Sequence, residues 1–230
     1  MKRLLFAGVG LTTLCLASAL AADLPPRMPT KAPAYAPVYN WSGWYLGING
    51  GYGFGRSNWS DTATGATTGG FDIDGGLIGG TLGVNWQSGP WVYGLEADGA
   101  WSDMRGSTAV TCAVANCETR NNWLATFRGR VGHAFDRVLP YVTGGLALGD
   151  VEAGVAGFGH DGSTQAGWTV GAGVEWAIAG PWTAKVEYLY TDLGTMSCSV
   201  ASCGGVGPVD VDFTANIIRG GINYRFGPTM

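Results

Sequence analysis

Three observations predict the fold. Apolar residues recur at every second position in eight segments. The Asp, Glu, Lys and Arg residues of those segments all take the opposite parity, and the connections alternate between short and long. Together they predict an all-β protein, an eight-stranded antiparallel up-and-down transmembrane β-barrel. Composition agrees: 40 of the 230 residues are Gly and only 13% are charged, against about a quarter in soluble domains. Each Gly costs about 1 kcal/mol inside a helix, which argues against a helical protein. A hydrophobic content of 46% is too high for a disordered chain. The Gly residues lack the triplet period of collagen. A formal charge of -4 offers no basic patch to nucleic acid.

Residues 1–21 read as a secretory signal peptide. Lys2 and Arg3 precede an apolar run over 4–20, and Ala19 and Ala21 supply the small residues of a cleavage site after Ala21. The run is shorter than the roughly 20 residues that span a bilayer as a helix. Bulky Leu14 disfavours a lipoprotein at Cys15. Losing Lys2 and Arg3 leaves 11 basic against 17 acidic residues, a mature charge of -6. Residues 22–40 hold Pro25, Pro26, Pro29, Pro33 and Pro37, half of the ten Pro. Such a segment stays extended and reads as a periplasmic leader. No later stretch reaches 18 apolar residues, so a membrane crossing falls to strands.

The barrel is assigned to 41–226, with 227–230 as a C-terminal extension. The first strand, 44–54, places Trp44, Leu46, Ile48, Tyr52 and Phe54 on one face. The second, 76–86, aligns Ile78, Leu82, Val84 and Trp86. The third, 91–101, aligns Trp91, Tyr93, Leu95, Ala97 and Trp101, and the fourth, 123–133, Trp123, Ala125, Phe127 and Val131. The fifth, 138–148, gives Val138, Val142, Leu146 and Leu148. Trp168, Val170, Val174, Trp176 and Ile178 follow in the sixth, 168–178. Trp182, Val186, Tyr188 and Tyr190 make the seventh, 182–190. The eighth, 213–226, carries Ile218, Ile222, Tyr224 and Phe226. Residues 87–90, 135–137 and 179–181 read as tight turns. Residues 55–74, 102–122, 149–163 and 191–210 read as long loops rich in Gly, Ser, Thr and Asp. Short periplasmic turns and longer outside loops are the outer-membrane pattern, and an even strand count returns both termini to the periplasm.

The charges decide which face is which. Glu96, Asp98, Arg128, Arg130, Glu175, Lys185, Glu187, Arg219 and Arg225 all lie opposite to the apolar parity. A soluble barrel would then bury nine charges or expose a large Trp-rich surface. A membrane barrel places the apolar face in lipid, where a charge at mid-depth costs about 2–4 kcal/mol, and the charges inside. Trp44, Trp86, Trp91, Trp101, Trp123, Trp168, Trp176 and Trp182, with Tyr224 and Phe226, form the two aromatic girdles at headgroup depth. The interior charges pair across strands, with Glu175 opposite Lys185 and with Glu96 and Asp98 beside Arg128 and Arg130. In eight strands the lumen just accommodates side chains, and such a network plugs it. A charge-selective constriction is the alternative. Inward Gly47, Gly51, Gly79, Gly83, Gly171 and Gly173 leave room beside the ion pairs.

The mature cysteines form two C-x4-C pairs, Cys112/Cys117 and Cys198/Cys203, each in a long loop. Of three possible connectivities, two local disulfides are the default in an oxidising compartment. A four-thiolate metal site is the alternative, at a spacing wide for a zinc knuckle. His133 has outward parity near the rim and reads as interfacial. His160 lies beside Asp161 and near Ser163, but adjacent loop residues lack the rigid frame of a hydrolase triad. The glycines at 47–53 superficially match a nucleotide fingerprint, yet no helix follows. No cofactor and no enzymatic activity is expected.

The segment Ala22-Asp23-Leu24-Pro25, the Pro-rich leader and Tyr39-Asn40-Trp41-Ser42-Gly43-Trp44-Tyr45-Leu46-Gly47 closely resemble the mature start of the small alpha-proteobacterial outer-membrane immunogenic proteins, also called porin-family proteins. Val186-Glu187-Tyr188-Leu189-Tyr190 and Gly221-Ile222-Asn223-Tyr224-Arg225-Phe226 resemble that family too. The resemblance implies an eight-stranded barrel related in architecture to the OmpA-type domain, with roles in envelope integrity and surface exposure. Its expected partners are outer-membrane lipid, lipopolysaccharide and the barrel-assembly machinery. Hemin binding is associated with some members, and no residue carries it over. Such barrels usually end on an aromatic residue; here residues 227–230 follow Phe226. The function expected is structural and surface-displaying. The alternatives are a narrow porin-like channel for small solutes, or binding of hemin or a host factor through the extracellular loops.

Overall fold

The computed structural model describes residues 39–109, 116–155, 159–203 and 208–227. Its strands are β1 (Gly43–Asp61), β2 (Phe71–Ser88), β3 (Trp91–Thr108), β4 (Cys117–His133), β5 (Val138–Val155), β6 (Gly159–Ala179), β7 (Trp182–Cys198) and β8 (Val209–Phe226). A helical turn, α1 (Val200–Cys203), follows β7. Each strand pairs with its sequence neighbour, and β1 pairs antiparallel with β8, so the sheet is a closed barrel. No helix among the described residues is long and apolar enough to cross a membrane.

The three tight connections share one end of the barrel with the start of β1 and the end of β8, where Trp44 pairs with Phe226. This is the turn end; the other is the loop end. Gly89 and Gly180 sit at positive φ, 59° and 51°, each followed by Pro, the arrangement of a type II′ turn that suits the strand twist. Asp136, at φ 54°, turns the chain between β4 and β5. Asp tolerates the left-handed region better than most side chains.

The strands run past their sequence-based ends on the loop side. Most of 55–61, 71–74, 102–108, 149–155, 191–198 and 209–212 is paired strand rather than loop. Alternation continues there, but its sign reverses. On β2, Ile78 faces outward and Leu77 inward; nearer the loop end Asp74 and Asp72 face outward, and Ile73 and Phe71 are buried. On β8, Val209, Val211, Phe213, Ala215 and Ile217 are buried in alternation with Asp210, Asp212, Thr214 and Asn216. A pattern tied to an apolar outside stops where the outside becomes polar. The strand does not, because backbone pairing, obligatory in lipid, remains favourable in water.

The outer wall fixes where that change falls. Trp44, Trp86, Trp91, Trp101, Trp168, Trp176, Trp182, Tyr224 and Phe226 are exposed. Trp123 faces outward but is half-buried, paired with Trp101. Trp101, Trp123 and Trp168 lie toward the loop end and the others toward the turn end. Trp91 and Trp101 are ten residues apart on β3. At about 3.3 Å per residue and a tilt near 40°, they are about 25 Å apart along the barrel axis, the height of an outer-membrane apolar band.

Candidate functional site

The lumen is built in three layers. At the turn end, residues 39–42 cross beneath the barrel before β1 begins. Trp41 is fully buried; its Nε1 donates to the Asp136 carbonyl at 3.0 Å, and its backbone N–H donates to Gln87 Oε1 at 2.7 Å. Tyr39 N–H donates to Asp136 Oδ1 at 3.1 Å, and Tyr39, Trp41, Val92 and Leu139 form an apolar cluster. Arg225 belongs to this layer. Its Nη2 donates to the carbonyls of Asn40 and Ser42 at 2.8 and 2.9 Å, and its guanidinium lies over the rings of Tyr39 and Trp41. The structure therefore separates Arg225 from the other eight interior charges.

Those eight meet in the second layer, inside the apolar band. Four carboxylates, Glu96, Asp98, Glu175 and Glu187, face four cations, Arg128, Arg130, Lys185 and Arg219, so the formal charge is zero. Arg128, 0% exposed, reaches Glu96 at 2.5 Å, Glu187 at 2.6 Å and Asp98 at 2.8 Å. Arg219 holds Asp98 at 2.7 Å and Glu187 at 3.1 Å. Arg130 holds Glu175 at 2.6 Å and Glu96 at 3.5 Å. Removing such charges from water costs several kcal/mol per ion, so each must be answered locally. Every carboxylate oxygen of the four accepts at least one hydrogen bond, with Tyr45, Thr126, Tyr141, Thr183 and Asn223 completing the set.

The pairing differs from the cross-strand expectation at one point. Glu175 and Lys185 are register partners, but the Lys185 ammonium goes to Glu96 at 2.8 Å and Glu175 goes to Arg130. In the eight-strand ring β3 and β7 are diametrically opposite, so the Lys185–Glu96 contact spans the lumen. A long flexible ammonium crosses the barrel, whereas Glu175 is better matched by the planar fork of Arg130.

Two tyrosines that the parity reading missed organise this layer. Tyr45 donates to Glu96 at 2.7 Å and accepts from Arg130 at 3.1 Å. Tyr141 donates to Glu187 at 3.1 Å, and the Arg130 guanidinium lies 4.2 Å from its ring centre. The inward glycines serve these rings. A Cβ on Gly83 would lie 2.2 Å from the Tyr45 ring, and one on Gly173 2.7 Å from the Tyr141 hydroxyl.

The third layer, toward the loop end, is mainly apolar, with Ser57, Thr119 and Asn121 buried in it. Leu77, Met104, Leu124, Leu189, Leu193 and Ile217 lead into Trp59, Phe71, Ile73, Val151, Met196, Val211 and Phe213, all buried in one cluster. The cysteines close it. Cys198 and Cys203 form a disulfide, and both are buried. Cys117 is also buried and disulfide-bonded; Cys112 lies outside the described residues. Asp161 accepts from Ser199 N–H at 2.9 Å and from Ser202 Oγ at 3.0 Å, pinning α1 to β6. Hydrogen bonds from Ser199, then Ser202, hold its carboxyl below the ordinary aspartate range.

The histidines stand apart from this chemistry. His133 is half-buried between the rings of Trp91 and Phe135. His160 points to Glu118 at 3.7 Å, while Asp161 is engaged by the serines of α1. Among the described residues no three His, Cys, Asp or Glu side chains converge as metal ligands.

Residues 9–226 match the family described as the outer membrane protein beta-barrel domain. The chain belongs to that family. Among its curated relatives, the 31 kDa outer-membrane immunogenic protein of Brucella melitensis is 36% identical, over 98% of this chain and 100% of its own length. The 22 kDa outer membrane protein of Rhizobium leguminosarum is 33% identical, over 81% of this chain and 79% of its own. Among solved structures, the attachment invasion locus protein of Yersinia pestis aligns over 80% of this chain and 99% of its own, at 12% identity and a TM-score of 0.41. The family and these relatives identify an alpha-proteobacterial outer-membrane β-barrel protein.

Proposed function

We propose that this outer-membrane barrel is a non-enzymatic, non-conducting envelope protein. Its lumen is occluded by the charge network within the lipid band, its turn end and termini are periplasmic, and its loop end is displayed at the cell surface. The observation that carries the reading is the 2.8 Å contact between Lys185 and Glu96 across the barrel diameter. It is flanked by Arg128 and Arg219, which tie β3 and β4 to β7 and β8. An ion entering this section would have to displace paired charges that water does not reach, and breaking a buried pair costs about 3–5 kcal/mol. The mainly apolar layer adds a section whose few polar side chains, Ser57, Thr119 and Asn121, are too sparse to replace an ion's hydration shell. The orientation is supported by the lengths of the connections. In this role the barrel stiffens the bilayer wall and carries a surface epitope.

Potassium efflux from vesicles containing the refolded protein tests the occlusion. Efflux equal to that of empty vesicles is expected. Efflux that rises with protein content and is selective for one ion sign would replace the reading with the charge-selective channel.

A further inference from the structure

The barrel wall is not hydrogen-bonded all the way to the loop end. β6 is paired with β5 along its length, from Val155↔Gly159 to Val138↔Trp176. Its pairing with β7 begins only at Trp168↔Asp192. β7 continues beside β8 as far as Cys198↔Val209. Past Trp168 the pairing of the two strands stops; Gly167 still lies against Asp192 and Leu193, and beyond it the edge of β6 has no strand beside it among the described residues. The cause lies in β7. Its register on β8 shifts between Asp192 and Thr195, and Gly194, at φ 70°, donates its N–H to Asp192 Oδ1 at 2.8 Å. That bulge turns β7 away from β6.

The seam starts at an outward Trp of the girdle, so it lies beyond the lipid band. Within lipid an open edge would leave backbone groups without partners; beyond it, water serves them. Among the described residues no backbone hydrogen bond from another element reaches the open edge over 160–167. α1 packs against β5 and β6, with Asp161 accepting from Ser199 N–H and Ser202 Oγ, and among the described residues it makes no backbone hydrogen bond to that edge. His160, Gly162, Ser163, Thr164 and Ala166 are exposed. Natural sheets usually blunt such an edge with Lys, Pro or a covering segment. The sequence here, Gly-His-Asp-Gly-Ser-Thr-Gln-Ala-Gly, has neither Lys nor Pro.

The charge around the seam selects a partner. Asp192 stands at its foot. Glu152 on β5 is paired with Gly162, and Asp210 and Asp212 on β8 lie opposite Ser197 and Thr195 of β7. Arg120 on β4 is the register partner of Glu152 and pairs with Glu118 at 3.1 Å.

We infer that the open edge of β6 over 159–167 is a docking site for an extended basic polypeptide segment. The segment adds a strand to the wall by backbone hydrogen bonds, and the surrounding carboxylates hold its Lys or Arg side chains. The small side chains of the edge let the incoming backbone approach closely and demand no particular sequence, so recognition is by extended shape and positive charge. The inference rests on the proposed function only in placing this edge outside the cell. Strand docking is read in micelles and occlusion by ion efflux, so either can fail without the other.

Hydrogen–deuterium exchange of the refolded chain in detergent micelles tests it. The probe is a synthetic peptide matching 159–167 in length, with Lys alternating with Thr or Val. One control carries N-methyl groups on every amide, so that both edges are blocked; another has Glu in place of Lys. At saturating peptide, exchange over 159–167 is expected to slow by at least about tenfold, the scale of one or two net hydrogen bonds. The N-methylated and Glu peptides leave it unchanged. Equal protection by the N-methylated peptide would show attachment without strand pairing and would overturn the proposal. So would unchanged exchange under the Lys peptide. Protection that grows with protein concentration in the absence of peptide would assign the edge to a second copy of the chain, and would also overturn it.

Discussion

Replacing Arg128 with Met tests the electrostatic core of the barrel most severely. Met fills much of the same space without the charge. In the native lumen Arg128 serves Glu96, Asp98 and Glu187 at 2.5, 2.8 and 2.6 Å. After substitution Glu96 keeps Lys185, while Asp98 and Glu187 share Arg219. Four buried carboxylates then face three cations. Removing one partner of a buried ion pair costs about 3–5 kcal/mol, chiefly through the charge left unanswered. Adding Glu187→Gln restores neutrality, so the double variant should recover about 1–3 kcal/mol relative to the sum of the single effects. Arg105→Met removes an exposed pair with Asp103 and should cost less than about 1 kcal/mol. The assay is urea unfolding of the barrel in lipid vesicles, followed by Trp fluorescence and by heat-modifiable gel mobility. If Arg128→Met unfolds within about 1 kcal/mol of the native protein, or if the double variant is additive, the network is not what holds the lumen.

Other parts of the structure give separate expectations. Phe213→Ala empties the apolar layer and should cost about 3–5 kcal/mol in the same unfolding assay, as in a soluble core. Ile48→Arg puts a charge on the lipid wall and should cost about 2–4 kcal/mol in vesicle folding. Gly83→Val drives the Tyr45 ring from its place beside Glu96 and should cost about 1–3 kcal/mol by overpacking. Ser199 and Ser202 hold Asp161 ionised, so their stabilisation of α1 is complete above the ordinary aspartate value of 3.8. It is lost as pH falls through the lower folded value. Exchange protection in α1 should therefore drop in acid for the native protein and stay flat for Asp161→Asn.

The part of the fold inside the bilayer was legible because lipid imposes a strict rule on each outward position. Trp44, Ile48, Ile78, Trp101 and Ile222 obey it, and the interior charges take what is left. Which charge meets which was not legible. Strand register brings Glu175 to Lys185, but the lumen is narrow enough that reach across the barrel decides, and Lys185 goes to Glu96. Tyr45 and Tyr141 were missed because inward aromatic residues interrupt an otherwise polar face, and the glycines that seat them looked like spacers for ion pairs. The loop end was misread for a different reason. Val-Asp-Val-Asp-Phe-Thr at 209–214 is a plain strand alternation in the sequence. The strand assigned from 213 stops short of 209–212, whose apolar residues take the inward parity because the solvent outside changes there from lipid to water. Trp59 belongs to that buried face. Trp41 fell at the edge of the Pro-rich leader, with no periodic pattern to mark it as buried.

In the proposed function, side chains fill the lumen in register with the membrane: paired charges within the lipid band and a mainly apolar layer above it. Single-channel recording in planar bilayers tests this most directly. With the native protein inserted, a current indistinguishable from the bare bilayer is expected at either polarity. Steady conductance steps that change in size when Arg128 or Glu96 is replaced would contradict it, because ions would then be passing through the section where Lys185 and Glu96 meet.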